Sequence, residues 1–189
     1  MKTKNFIYRL AIIILLGIIS VYTYSQDALK DTYPVPANTD KLLFYLQRSK
    51  DRNTIIYELN TLPNGSPNME EPIHAYWYHY DDGGIITELT YIQKKLAFGI
   101  NAEITDRLKG NFALTVVSYK NRTLFLQKRL INNEYKYRVF MVINGRISML
   151  QSVFVNVVDN FLYYPTVKNV ELYGIDAKTG GKVFERIDI

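Results

Sequence analysis

Apolar and polar residues alternate with a period of two through most of residues 41–187, and no other feature constrains the fold as much. In residues 54–60, Ile55, Tyr57 and Leu59 fall on one face while Ile56, Glu58 and Asn60 fall on the other. A strand sends successive side chains to opposite sides, so this spacing predicts strands with a buried face. Residues 41–48 alternate as well, and a polar turn at 49–52 joins the two segments into a hairpin. Proline-rich residues 61–72 form a loop, and strands are expected at 73–80, 100–105, 112–119, 123–130, 135–143, 147–158, 167–175 and 182–187. Asn144-Gly145 is the strongest hairpin signal, because a type I′ turn needs positive φ at both central positions. An aromatic loop containing Pro165 is expected at 159–166, and Gly180-Gly181 marks the last reversal.

Residues 73–100, IHAYWYHYDDGGIITELTYIQKKLAFGI, interrupt the run of strands. They hold the single tryptophan and both histidines, so the titratable aromatic chemistry gathers there. The stretch reads as a strand, a turn through Gly83-Gly84, and an amphipathic helix. In the strand, Ile73, Ala75, Trp77 and His79 share one face; His74, Tyr76, Tyr78 and Tyr80 share the other. Thr87 suits the helix N-cap, with Glu88 at the positive end of the dipole. Leu89, Ile92 and Leu96 form an apolar stripe, Gln93, Lys94 and Lys95 face water, and Gly99 suits the left-handed position just past the end. So short a helix depends on docking its stripe against a sheet. The expected fold class is therefore mainly β: an antiparallel barrel or two-sheet sandwich of about ten strands with one amphipathic helix packed on it. Residues 41–189 have the length of one such domain.

A different kind of sequence precedes the domain. Lys2, Lys4 and Arg9 lead into the apolar run LAIIILLGIISVY, and Thr23-Tyr24-Ser25 supplies small residues at a cleavage site. Residues 1–25 are expected to be a secretory signal peptide, with Gln26 as the new N-terminus. The run falls short of the ~20 apolar residues of a stable span, so no membrane span is expected after cleavage. Residues 26–40, with Pro34 and Pro36, read as an extended lead-in. Three of the 23 basic residues leave with the leader, which sets 20 against 18 acidic residues, a net charge of +2. That near balance gives no reason to expect nucleic acid as a partner. Cysteine is absent, which excludes disulfides, thiol catalysis, Cys-bound zinc and a lipid-carrying cysteine.

The remaining chemistry narrows quickly. His74 and His79 are five apart on one strand, so they point to opposite faces and do not share a metal ion. No Gly-x-Ser-x-Gly elbow and no Ser-x-x-Lys with a Lys-Thr-Gly partner occurs. Asp81, Asp82 and Glu88 are accounted for by a solvated turn and a helix start, without calcium spacing. No catalytic residue, metal or cofactor is implied. Tyr76, Tyr78 and Tyr80 in a row are different. Aromatics on one strand face build a sugar platform or line an apolar cavity, each with a polar tip to orient a ligand. Arg48 and Lys94, with Arg52 and Lys95, are candidates to flank that cleft and meet an anionic group. The competing reading buries both faces of the strand and makes the tyrosines packing residues.

The segments YPVPANTDKLLFYLQRSKDRNTIIYELN, EPIHAYWYHY, ELTYIQKKLAFGI and LYGIDAKTGGKVFERI resemble a family of uncharacterised secreted proteins found mainly in Bacteroidetes and catalogued as a domain of unknown function. The resemblance covers residues 33–187. It implies export to the periplasm or outer-envelope space of a Gram-negative cell, and it implies no activity or site residues. The expected function is a non-catalytic periplasmic or envelope binding module for an amphipathic or carbohydrate-like ligand. A cofactor-free hydrolase acting on an envelope polymer and a structural or protein-partner module stay open as alternatives.

Overall fold

A computed structural model describes residues 33–131, 133–159 and 165–189. The expected leader, most of the lead-in and residues 160–164 of the aromatic loop lie outside them. Eleven strands are present among the described residues: β1 (Leu42–Arg48), β2 (Asp51–Leu59), β3 (Ile73–His79), β4 (Ile85–Glu88), β5 (Ile100–Asp106), β6 (Asn111–Val116), β7 (Tyr119–Ile131), β8 (Glu134–Ile143), β9 (Arg146–Asp159), β10 (Pro165–Asp176) and β11 (Lys182–Asp188). Most follow the alternation in the sequence, but the turn between β6 and β7 falls at 117–118, and β7 takes in residues 120–122, which separate the strands expected at 112–119 and 123–130. Ile55, Tyr57 and Leu59 of β2 and Ile73, Ala75 and Trp77 of β3 all enter one core. Asn144 and Gly145 have φ of 48° and 74°, as the tight β8–β9 turn requires.

All eleven strands belong to one sheet, in the order β4-β3-β2-β1-β9-β8-β7-β6-β5, with β10 and β11 added at β9. The sheet forks along β9. One edge of β9 pairs with β10 from Ser148 to Asp159. The opposite edge is shared: Arg146–Met149 pair with β8, and Ser152–Val155 pair with β1. Two wings, β8-β7-β6-β5 and β1-β2-β3-β4, therefore leave the same edge of one strand and curl toward each other as a half-barrel. The β1–β9 pair is parallel and joins residues about a hundred positions apart, so one parallel seam stands in an otherwise antiparallel sheet.

The core lies between the inner faces of the wings. It contains Ile55, Tyr57 and Trp77 from one wing and Phe112, Leu114, Leu126 and Val139 from the other, with Leu150, Leu172 and Val183 from the β9–β11 side. Side chains of this size contribute about 1.5–3 kcal/mol each when fully buried. Every one of these residues falls in the compact unit Pro36–Ile189, so that unit carries its own core. Arg122 of β7 grips Glu185 of β11 with both guanidinium arms and fastens the β11 end to the second wing.

The link from β4 to β5 joins the free ends of the two wings, and it holds the short helix. Its start differs from the sequence expectation. Ile85–Glu88 form edge strand β4, because two isoleucines and a threonine favour extended backbone and Tyr76–His79 offer a free edge. The N-cap is Thr90, not Thr87. Its hydroxyl accepts from Gln93 N at 3.3 Å, and Gln93 Oε1 accepts from Thr90 N at 2.9 Å, a complete capping box. The helix runs Tyr91–Gln93 and continues as a π-helical turn over Lys94–Phe98. Its expected stripe also divides: Leu89 is buried ahead of the helix, while Ile92 and Leu96 face solvent. Phe98 does the docking instead, edge-on to Trp77 at 5.7 Å. Among the described residues no helix is long and apolar enough to cross a membrane.

Candidate functional site

A cleft opens between the free ends of the wings. Strand β4 covers only Tyr76–His79 of β3, so Ile73–Ala75 keep an edge that no strand pairs among the described residues. The outer edge of β5 is likewise unpaired by any described strand. These two edges form the walls, and the helix closes one end. The cavity measures about 540 Å³, within the range that holds small ligands. Its floor is apolar, made by Ile73, Ala75, Ile100, Ala102 and Val117. Its rim is charged: Lys94 and Lys95 come from the helix, Lys120 from the start of β7, and Glu70 and Glu71 from the loop before β3. Tyr91 stands at the mouth, with Lys95 Nζ 5.6 Å from its ring centroid.

The helix is fixed over this cleft by its C-terminal carbonyls, which a helix leaves without internal partners. Tyr57 Oη donates to Phe98 O at 3.0 Å, Ser118 Oγ donates to Ala97 O at 2.6 Å, and Val117 N donates to Gly99 O at 3.0 Å. Both wings hold the same helix end. Gly99 is not in the left-handed conformation expected of it; φ is −68° and ψ 156°. Glycine is needed there for another reason. A Cβ at this position would lie 2.1 Å from Lys94 O, the carbonyl that Gly99 N bonds at 3.1 Å.

The five residues singled out by the sequence fall in separate places. Tyr76 is buried on the outer face of β3, and its burial, helped by the Glu58 carboxylate, pushes its hydroxyl up to about 12. Tyr78 and Tyr80 sit beside it on that face with ring centroids 4.4 Å apart, and burial and the neighbouring Tyr78 raise Tyr80 as well. Arg48 lies on the inner face, 5.1 Å over the Trp77 ring and 5.9 Å over Phe98, and pairs with Asp51. Lys94 is at the cleft rim, with Nζ 3.6 Å from Glu88 Oε2. The histidines do divide between the faces: His74 meets Glu88 at 2.7 Å and tilts against Tyr76, while His79 meets Thr87 at 2.8 Å and tilts against Trp77. Hydrogen bonding to His74 holds the Glu88 carboxyl below its usual range.

Sequence reasoning missed most of the cleft. Lys120, Ile100, Ala102 and Val117 lie in strands and turns without local signals. The curl of the sheet brings them opposite Ile73 and Ala75.

The family model described as Domain of unknown function (DUF4833) matches residues 44–186, from inside β1 to inside β11. No curated protein and no solved structure matches the chain. The chain belongs to the DUF4833 family.

Proposed function

We propose that this member of the family is an exported, non-catalytic binding module of the bacterial envelope, and that it holds an amphipathic ligand in the cleft between β3 and β5. The observation that carries this reading is the division of the cleft into an apolar floor and a rim of three lysines against two glutamates. An apolar body lies on Ile73, Ile100, Ala102 and Val117, while an anionic or hydroxyl-rich head meets Lys120 and Lys95. The unpaired backbone edges of β3 and β5 add fixed donors and acceptors for a sugar-like head. The leader-like N-terminus supports export, and the resemblance to secreted proteins supports the periplasm of a Gram-negative cell. Tyr78 and Tyr80 form a second candidate surface on the outer face.

Thermal shift and native mass spectrometry of the chain from Gln26 onward, against fatty acids, anionic detergents and envelope oligosaccharides, test the proposal. A ligand that binds only the folded state raises its melting temperature. Ala102→Phe, which fills the floor, and Lys120→Glu, which reverses the rim, are expected to abolish the shift. A shift that survives both variants and disappears in Tyr78→Ala/Tyr80→Ala moves the site to the tyrosine row and sinks the cleft.

A further inference from the structure

The helix over the cleft is built inside out. Tyr91, Ile92 and Leu96 are 74%, 66% and 68% exposed, whereas the apolar residues that hold it down, Leu89 and Phe98, lie beyond or at its ends. Ile92 and Leu96 are four apart and stack on one face, with Tyr91 and Lys95 beside them. Leaving three large apolar side chains in water on two helical turns forgoes the docking that such a short helix normally requires. Here the helix is held by its carbonyls instead, through Tyr57, Ser118 and Val117, so the ridge is presented from a fixed platform.

Two further observations say what covers it. Cations stand beside the ridge: Lys95 within the helix and Lys120 across the cleft enter no ion pair among the described residues, while Lys94 pairs with Glu88, and Glu70 and Glu71 share the cleft rim. The long lysine stems can lie along an apolar surface while the ammonium stays at its edge. Tyr91 is an amphipathic ring with its polar tip free to sit at a water boundary. Apolar side chains that enter an acyl layer, an interfacial tyrosine and flanking lysines that meet headgroups are the parts of an in-plane membrane contact. We infer that the ridge Tyr91–Ile92–Leu96 docks this protein on an anionic lipid surface, with Ile92 and Leu96 entering the acyl boundary and the lysines meeting lipid phosphates. This contact stands apart from the cleft reading: it needs no ligand between β3 and β5.

The chain has no cysteine, so a single introduced one reports one position. The chain from Gln26 onward keeps the whole core unit. It is mixed with vesicles of phosphatidylcholine alone and of phosphatidylcholine with phosphatidylglycerol. Cosedimentation is expected with the anionic vesicles, weakening as salt rises. Ile92→Ser/Leu96→Ser is expected to weaken it by about tenfold or more, equivalent to about 1.4 kcal/mol. Leu108→Ser is expected to leave it unchanged: that residue is fully exposed at the β5–β6 turn, the far end of β5. A polarity-sensitive dye on Leu96→Cys shifts to the blue on anionic vesicles, and the same dye on Leu108→Cys does not. These outcomes separate the two proposals, since Ala102→Phe blocks the cleft and leaves vesicle binding intact. Failure of the unaltered chain to bind anionic vesicles at low salt overturns the inference. So does equal binding by the double serine variant, or a concentration-dependent dimer that this variant abolishes, which would assign the ridge to a second copy of the chain.

Discussion

Tyr57 reaches out of β2 to donate a 3.0 Å hydrogen bond to the carbonyl of Phe98, the last residue of the helix. The ring itself is buried and stacks on Phe44 at 4.3 Å, so the hydroxyl is delivered from a rigid base. One side chain thus couples the core of the first wing to the element that roofs the cleft.

Tyr57→Phe keeps the ring and removes the bond. It is expected to destabilise the protein by about 1–2 kcal/mol, because the Phe98 carbonyl loses its partner at a half-buried position. Urea unfolding gives the global loss. Hydrogen exchange would show the effect concentrated in residues 91–99; an unchanged exchange pattern there would mean that Tyr57 does not hold the helix.

Gly99→Ala tests the close approach beneath the helix. A methyl group at this position meets the Lys94 carbonyl at 2.1 Å, so the backbone has to open. Strain from forcing atoms into occupied space costs about 1–3 kcal/mol, and the same loss is expected here. Gly145→Ala makes a useful contrast, since its cost comes from positive φ with nothing near the added carbon. Equal melting temperatures for Gly99→Ala and the unaltered protein would contradict the geometry.

Glu185 ties acid stability to the join between β7 and β11. The bond to Arg122, reinforced by the Asn144 backbone N–H at 2.7 Å, holds its carboxyl below the usual glutamate range against the opposing effect of burial. A carboxylate depressed in the folded state stabilises the fold fully above its unfolded pKa, and this contribution is lost as pH falls through the folded pKa. Stability is therefore expected to fall as acid is added below the usual glutamate range. Glu185→Gln should cost about 1–2 kcal/mol at neutral pH and flatten that part of the pH profile. Parallel profiles for the two proteins would show that the pair contributes nothing.

Much of the sheet is legible in the order of the amino acids. Alternation is local, so the segment around Ile55, Tyr57 and Leu59 announces its buried face wherever it is placed, and Asn144-Gly145 announces its turn through backbone conformation alone. The opposite placement of His74 and His79 follows from the same period. The helix is half legible. Thr90 and Gln93 carry a capping-box signature, but Thr87 and Glu88 offer a weaker start three residues earlier, and only the free edge of β3 draws those residues into a strand. The apolar spacing of Ile92 and Leu96 points to docking. Their exposure follows from anchoring by Tyr57, Ser118 and Val117, which lie far away in sequence. The candidate residues come from three separate segments, Arg48 at the end of β1, the tyrosines in and just after β3, and Lys94 in the helix, and the fold sets Arg48 and the tyrosines on opposite faces of the sheet.

By itself the sequence determined most of the strands, the β8–β9 turn, the absence of cysteine chemistry and the two faces of β3, because each depends on residues within a few positions of one another; β4 and the place of the β6–β7 turn were not among them. Tertiary structure decided the rest. The parallel seam between β1 and β9 is closed by segments about a hundred residues apart, and no local pattern encodes such a pairing. That seam sends both wings from one edge of β9, makes them curl toward each other, and leaves β3 and β5 with unpaired edges facing across a gap. The cleft, its lysine rim and the outward-facing helix are consequences of that geometry, which exists only once the chain has closed on itself.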